Sequence, residues 1–97
     1  MAMTKNSILK CLKTHKKELQ EKFTVRRIGI FGSHARGDAH PASDIDVLVE
    51  LDQPTFDHYM DLKFYLEQLL NMEVDLVIAD TLKPRLQSYI SQEVIYA

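Results

Sequence analysis

The chain has a single cysteine, Cys11, among its 97 residues. One thiol cannot form an internal disulfide, and the paired spacing of cysteines and histidines that marks a zinc site is absent. No apolar run approaches the ~18 residues that cross a membrane, and polar residues 4–6 stand where a signal peptide would have its hydrophobic stretch. These absences exclude a disulfide scaffold and a zinc module, and they favour a cytoplasmic protein without membrane contact.

Neither the composition nor the length suggests anything other than a small globular protein. Hydrophobic residues make up 45% and charged residues 27%, which is ordinary for a folded domain and excludes a disordered chain, a coiled coil or a collagen-like fibre. No internal repeat or low-complexity segment is visible. We expect residues 1–97 to form one domain with a modest core, because chains of this size bury only roughly 60–70% of their unfolded surface.

The charges are divided unevenly along the chain. Residues 1–27 contain eight Lys or Arg and two Glu, a local charge of +6, whereas residues 28–97 contain four Lys or Arg and twelve Asp or Glu, a local charge of −8. The basic part reads as the solvated face of a helix, with contact to phosphates or an acidic partner as the alternative. The acidic part is where a divalent cation would be stabilised.

Hydrophobic periodicity predicts alternating helices and strands, hence an α/β or α+β domain with a small sheet covered by helices. The expected elements are a helix over 4–22, strands over 25–31, 44–51 and 73–78, a helix over 54–70 and a last helix from Pro84. A turn, with room for one helical turn, and a loop are expected over 32–43. In this loop His34 and His40 are interpreted as exposed residues.

Two helices have apolar stripes that predict which side each one buries or offers to a partner. For the helix over 54–70 the residues along one side are Phe56, Tyr59, Met60, Lys63, Leu66 and Leu70. For the last helix the stripe consists of Leu86, Tyr89, Ile90, Val94 and Ile95. A sheet this small exposes apolar surface, so the last stripe is a candidate interface with a partner protein.

Three aspartates are placed where strand geometry would bring their carboxylates together. Asp44 and Asp46 are two residues apart in one strand, so both leave the same face. Asp75 repeats the arrangement in the next strand. Carboxylates held on one face repel each other unless a cation lies between them, and hard oxygen ligands of this kind select Mg²⁺ or Mn²⁺.

A glycine-serine turn follows the first strand at Gly32-Ser33. A glycine there lets backbone N–H groups approach a phosphate, the serine hydroxyl adds a donor, and Arg36 can reach the same side of the turn. A polyphosphate held by this turn and a metal held by the aspartates are the parts needed for phosphoryl or nucleotidyl transfer.

The spacing Gly32-Ser33, ten residues, then Asp44-Ile45-Asp46, with Asp75 in a later hydrophobic strand, resembles the DNA polymerase β-like nucleotidyltransferase superfamily. The version GSHARGDAHPASDIDVLVEL is similar to that of the minimal nucleotidyltransferases, short proteins found beside HEPN-domain proteins in bacteria and archaea. This resemblance implies a small mixed sheet of three or four strands covered by helices.

The resemblance also implies a role for each motif residue. Gly32, Ser33 and Arg36 would bind the β- and γ-phosphates of ATP. Asp44 and Asp46 would bind a pair of Mg²⁺ ions, with Mn²⁺ as the substitute, and Asp75 would bind the metal that activates the acceptor and receive its proton. The acceptor would be a tyrosine of a HEPN ribonuclease toxin, silenced by AMPylation in a toxin–antitoxin pair and bound to this chain as a hetero-oligomer.

Two other functions remain open at this stage. A fold that keeps its carboxylates without turnover would neutralise a partner by binding alone. Nucleotidyl transfer to a small molecule or an RNA end would use the same motif. The shortness of the chain favours an acceptor protein that completes the site, and direct nucleic-acid binding is not expected.

Overall fold

The computed structural model describes residues 4–37 and 44–97. The loop interpretations of Asp38 and His40 fall at 38–43, outside the described residues. The helices and strands are α1 (Lys5–Thr14), α2 (Lys16–Phe23), β1 (Val25–Phe31), α3 (Gly32–Arg36), β2 (Ile45–Leu51), α4 (Phe56–Leu70), β3 (Val74–Ile78), α5 (Pro84–Glu93) and β4 (Ile95–Tyr96), with a 3₁₀ turn at Ala79–Thr81. The predicted mixed α/β architecture is confirmed.

The four strands form one mixed sheet in the order β3-β2-β1-β4. The central strands β1 and β2 are antiparallel, β4 is antiparallel to β1, and β3 is parallel to β2 through the α4 crossover. Because β1 runs against β2 and β3, the end of β1 and the beginnings of β2 and β3 lie at the same edge of the sheet. We call this edge the phosphate edge, since it carries the Gly32-Ser33 turn.

One face of the sheet holds the core against α1, α2 and α4. The strands contribute alternate residues to it, as their period predicts. The fully buried side chains are Ile8, Leu12, Leu19, Ile28, Ile30, Ile45, Val47, Val49, Leu51, Leu62, Leu66 and Leu70. The opposite face carries Asp46, Glu50 and Asp75, and α5 lies over part of it.

The predicted N-terminal helix is two helices, α1 and α2, that meet at His15. Its start was predicted correctly, because Thr4 Oγ1 accepts a hydrogen bond from the Ser7 N–H at 3.1 Å. His15 leaves the helical region with φ −100° and ψ 9°, and its ring Nδ1 lies 2.9 Å from the Cys11 carbonyl oxygen. The Cys11 carbonyl oxygen therefore accepts hydrogen bonds from both the ring and the backbone N–H of His15. Competition of a side chain with the backbone for one carbonyl bends helices.

The side predicted for α4 was correct in part: Leu66 and Leu70 are buried and Tyr59 packs against the core, but Leu62 was missed and Phe56 does not belong to the buried side. Leu62 is fully buried with Leu66 and Leu70, whereas Phe56 is 75% exposed. Phe56, Met60 and Phe64 form a second apolar stripe at the same spacing of four. Periodicity finds both stripes, and the contact of α4 with the sheet decides between them.

The predicted last helix is too long, since α5 ends at Glu93 and residues 95–96 form β4. A two-residue strand is too short to have a recognisable period. Its pairing depends on Gly29, where a Cβ atom would come within 2.7 Å of the Ile95 carbonyl oxygen. The missing side chain is what admits β4.

The described residues include no helix that is long and apolar enough to cross a membrane.

Candidate active site at the phosphate edge

Strand pairing brings two of the three predicted aspartates together. Asp46 in β2 is the direct partner of Asp75 in β3, and it is also the partner of Phe31, the last residue of β1. Adjacent strands lie about 4.7–4.9 Å apart, so the Asp46 and Asp75 side chains leave the same face as neighbours. Asp44 is exposed just before β2 begins.

The electrostatics of the site centre on Asp46. The pKa of the Asp46 carboxyl is raised above its usual value, first because burial disfavours the charged form and second because Asp75 is close. Asp44 and Glu93 raise the pKa of Asp46 further, and His34 opposes them. A bound cation would relieve the repulsion between Asp46 and these neighbouring carboxylates.

The described ranges contain no group of three or more His, Cys, Asp or Glu side chains arranged to hold a metal ion. What the fold brings together there is a carboxylate pair, Asp46 and Asp75, with Asp44 close enough to affect the Asp46 pKa. The donor set consists of hard oxygens, which fits Mg²⁺ or Mn²⁺ and does not fit a thiolate-seeking metal.

Gly32 is required by a contact that the sequence did not reveal. Its backbone has φ +71°, and a Cβ atom built there would overlap Oδ2 of Asp46. The turn and the carboxylate are therefore in van der Waals contact, which only glycine permits in this conformation. The sequence predicted glycine for approach to a phosphate, and the structure adds its packing against Asp46.

The first turn of α3 begins at Gly32 with no side-chain cap, because Phe31 precedes it. Backbone N–H groups at an uncapped helix start are unsatisfied donors that an anion can use. Ser33, the second residue of α3, is partly exposed at the same place. Gly32 and Ser33 therefore lie next to the carboxylate pair, as the motif spacing predicted.

Arg36 is oriented by an ion pair with Glu93 of α5. The Glu93 side chain is only 18% exposed, and its charge contributes to the raised pKa of Asp46. The pair joins α3 to α5 beside the carboxylates. Glu93 was not predicted as part of the site, because it is 57 residues from Arg36 and no local motif marks it.

His34 was interpreted as an exposed loop residue, and this was wrong. It lies in α3 with 4% of its surface exposed, and within the described residues its ring Nδ1 has no hydrogen-bond partner. It lies close enough to Asp46 to lower the pKa of that carboxyl. A histidine between serine and alanine gives no signal of burial, which follows only once α3 packs on β1 and β2.

Comparison with known proteins assigns this chain to a family. The model of the family described as "Nucleotidyltransferase domain" matches residues 12–97. The protein adenylyltransferase MntA of Thermococcus cleftensis is 45% identical over 98 residues, covering 99% of each chain. The similarity therefore extends over the helices and the sheet as well as the motif.

Two solved structures share the fold. A protein provisionally described as a minimal nucleotidyltransferase has a TM-score of 0.81 at 34% identity, covering 96% of this chain and 95% of its own. A chain in the complex of the tri-AMPylated HEPN toxin of Shewanella oneidensis with its MNT antitoxin has a TM-score of 0.60 at 22% identity. The match covers 95% of this chain and 66% of that chain. This chain belongs to the nucleotidyltransferase domain family, among the minimal nucleotidyltransferases, and is itself a nucleotidyltransferase.

Proposed function

We propose that this nucleotidyltransferase transfers AMP from ATP to a tyrosine hydroxyl of a HEPN ribonuclease toxin and thereby acts as its antitoxin. The observation that carries the proposal is the contact of the Gly32 turn with the Asp46–Asp75 pair at one edge of the sheet. The name of the Thermococcus relative and the AMPylated toxin of the Shewanella complex support protein AMPylation.

In this proposal the phosphate edge orients ATP. The N–H groups at the start of α3 and the Ser33 hydroxyl bind the β- and γ-phosphates. Arg36 assists from the end of α3, where Glu93 orients its guanidinium. The leaving pyrophosphate is thereby held beyond the end of β1.

Asp44, Asp46 and Asp75 would hold Mg²⁺, with Mn²⁺ as its substitute. When bound, the divalent cation stabilises the charge on the phosphoryl oxygens and favours the ionised acceptor. The tyrosine oxygen attacks the α-phosphorus, the bond from that phosphorus to the bridging oxygen breaks, and pyrophosphate leaves. Asp75, exposed and beside Asp46, receives the phenolic proton.

The charges near the site favour a protein acceptor over an RNA end. Asp44, Asp46 and Asp75 lie at the edge, and both nearby arginines, Arg27 and Arg36, already pair with glutamates. Nucleic-acid binding needs uncompensated basic groups on the contact face. We therefore favour a protein over RNA as the acceptor of the nucleotidyl group.

The test uses ATP labelled at the α-phosphate, Mg²⁺ and lysate of the source organism. We expect one labelled protein, identified by mass spectrometry, with the label on tyrosine. Labelling should vanish with EDTA and with Asp44→Asn/Asp46→Asn. Asp61→Asn, an exposed change on α4, is the matched control and should retain labelling.

A different result identifies one of the other two functions. If no protein is labelled while the double Asn variant neutralises its partner as well as the wild type, the chain is a non-catalytic antitoxin. Label found in RNA or in a small molecule, with no partner protein present, would contradict the toxin acceptor.

A further inference from the structure

A cleft of about 250 Å³ opens on the same face of the sheet as Asp46. Asp46, Leu48 and Glu50 alternate along β2, so all three point to this face. The cleft lies between the sheet, α5 and the 3₁₀ turn. Its floor and walls include Leu48, Glu50, Asp80, Gln87, Ser91 and Tyr96. We call it the α5 cleft.

The α5 cleft lies inward from the phosphate edge, along β2. Leu48 is two residues beyond Asp46, about 6.6–6.8 Å further from the edge. The wall is α5, which extends along the cleft toward the phosphate edge. Gln87 donates a hydrogen bond to the Ala79 carbonyl oxygen at 3.0 Å, and Glu93, at the end of α5, pairs with Arg36 of α3. From the edge inward, the order is therefore Gly32 together with Asp46, and then the cleft.

This order determines what the cleft can hold during nucleotidyl transfer. The attacking and leaving oxygens lie roughly in line on opposite sides of the reacting phosphorus. If pyrophosphate leaves at Gly32-Ser33, with the α-phosphorus beside Asp46, the attacking oxygen comes from the side of Asp46 that faces away from Gly32, toward Asp75 and Leu48. The α5 cleft is on that side, which is the side of the acceptor.

The size and the lining of the cleft suit one aromatic ring. Pockets for whole small molecules usually measure about 300–1,000 Å³, so 250 Å³ is small for a complete nucleoside. The lining is mainly polar, with apolar surface from Leu48, Leu82 and the Tyr96 ring. An amphipathic ring with one hydroxyl matches such a mixture.

The charges of the cleft are acidic on balance. Arg27 lies 3.7 Å from the centre of the Tyr96 ring and pairs with Glu50 at 3.3 Å, so its charge is already compensated. Asp80 adds a second carboxylate at the rim. The cleft therefore repels a nucleic-acid backbone.

We propose that the α5 cleft is the acceptor subsite, which holds the side chain of the tyrosine that receives AMP with its hydroxyl directed toward Asp46 and Asp75. The inference rests on the proposed function. Nucleophilic attack forms the bond from the tyrosine oxygen to the α-phosphorus while pyrophosphate departs toward Gly32, and the phenolic proton goes to Asp75.

The test fills the cleft. Ser91→Phe places a ring in the cleft from the wall, and Ser88→Phe makes the same change at an exposed α5 position that does not line it. The acceptor is the protein that the labelling experiment identifies. We expect Ser91→Phe to lower kcat/KM for this acceptor by about tenfold or more, while KM for ATP stays within about twofold. Ser88→Phe should behave as the wild type.

Each outcome separates this inference from the function on which it rests. Unchanged labelling by Ser91→Phe overturns the acceptor subsite and leaves the transferase intact. An equal rise in KM for ATP also overturns it, because the cleft would then bind the nucleotide. If the wild type labels no protein, the proposed function fails first. The affinity of each variant for a fluorescent ATP analogue, together with its thermal melting curve, shows that it is folded.

Discussion

At the residue scale, the candidate site depends on close contact between a backbone and a carboxylate. Gly32 packs against Asp46, and Asp46 is paired across the sheet with Asp75. Motif spacing predicted these three residues and their neighbourhood, because strand period and turn position follow from local sequence. It did not predict His34 or Glu93, whose positions depend on packing between distant segments.

Gly32→Ala should abolish transfer while costing only modest stability. Both Gly32 and Gly37 have positive φ, so alanine at either position costs about 1 kcal/mol in backbone strain. At Gly32 the new Cβ also displaces the Asp46 carboxylate, whereas at Gly37 it meets nothing within 4 Å. Label transfer and urea unfolding of both variants test this. Equal activity of the two variants would show that the Gly32–Asp46 contact is unimportant.

The raised pKa of Asp46 predicts a pH-dependent cost of holding this carboxylate without a cation. The pKa of Asp46 is higher in the folded state than in the unfolded chain. Its contribution to the free energy of unfolding is therefore fully present below about pH 4, where the carboxyl is protonated in both states. This contribution is lost as the pH rises through the pKa that Asp46 has in the folded state.

Asp46→Asn should therefore melt at a higher temperature than the wild type at pH 7 in EDTA. The difference should disappear toward about pH 4 and narrow at neutral pH when Mg²⁺ is added. Thermal melts over this pH range measure it, with Asp61→Asn as the control for removing an exposed carboxylate. A wild type that gains no stability from Mg²⁺ would contradict a cation site at Asp46.

At the element scale, the strands β1, β2 and β3 were predictable, whereas β4 and part of the buried face of α4 were not. β2 and β3 each have an uninterrupted apolar set with a two-residue period, and β1 has the same period from Ile28 onward, after a register shift between Val25 and Arg27. The sequence therefore located all three strands to within a residue. α4 has two stripes, and the contact that chooses between them is tertiary. β4 exists only because Gly29 admits it. The errors therefore occur where pairing with a distant segment, and no local pattern, determines the structure.

The two stripes of α4 give a direct test of its orientation. Leu62→Ala removes a fully buried side chain and should cost about 2–5 kcal/mol in the free energy of unfolding. Phe56→Ala removes a larger side chain that is 75% exposed and should change it by less than about 0.5 kcal/mol. Urea unfolding measures both. A larger loss at Phe56 would mean that this stripe is covered.

At the scale of the whole molecule, the two faces of the sheet differ in charge. α1 and α2 pack on the core face and direct Lys10, Lys13, Lys16 and Lys17 into solvent. The candidate site and the α5 cleft are on the other face with Asp44, Asp46, Asp75 and Asp80. The lysines of α1 and α2 and the aspartates of the candidate site therefore lie on opposite sides of the sheet, which we call the basic side and the acidic side. The proposed acceptor would approach the acidic side.

This polarity predicts how transfer responds to salt. Attraction between exposed charges is screened beyond about 10 Å at 0.1 M ionic strength and beyond about 3 Å at 1 M. If the acceptor approaches the acidic face with a basic segment, its KM should rise with salt while kcat at saturating acceptor stays constant. Steering by complementary charge acts mainly on association, so the rise should appear in the rate of binding.

The two faces can be separated by charge reversal. Lys13→Glu/Lys17→Glu changes the basic face by four charges and should leave both the KM for the acceptor and its salt dependence within about twofold, since these side chains point away from the site. Asp80→Lys changes the acidic face by two charges at the cleft rim and should raise KM at low salt. Steady-state transfer at about 0.05 and 0.5 M salt compares them. A larger effect from the lysine pair than from Asp80 would mean that the acceptor docks on the helices of the basic side, and that the α5 cleft receives its tyrosine without charge steering.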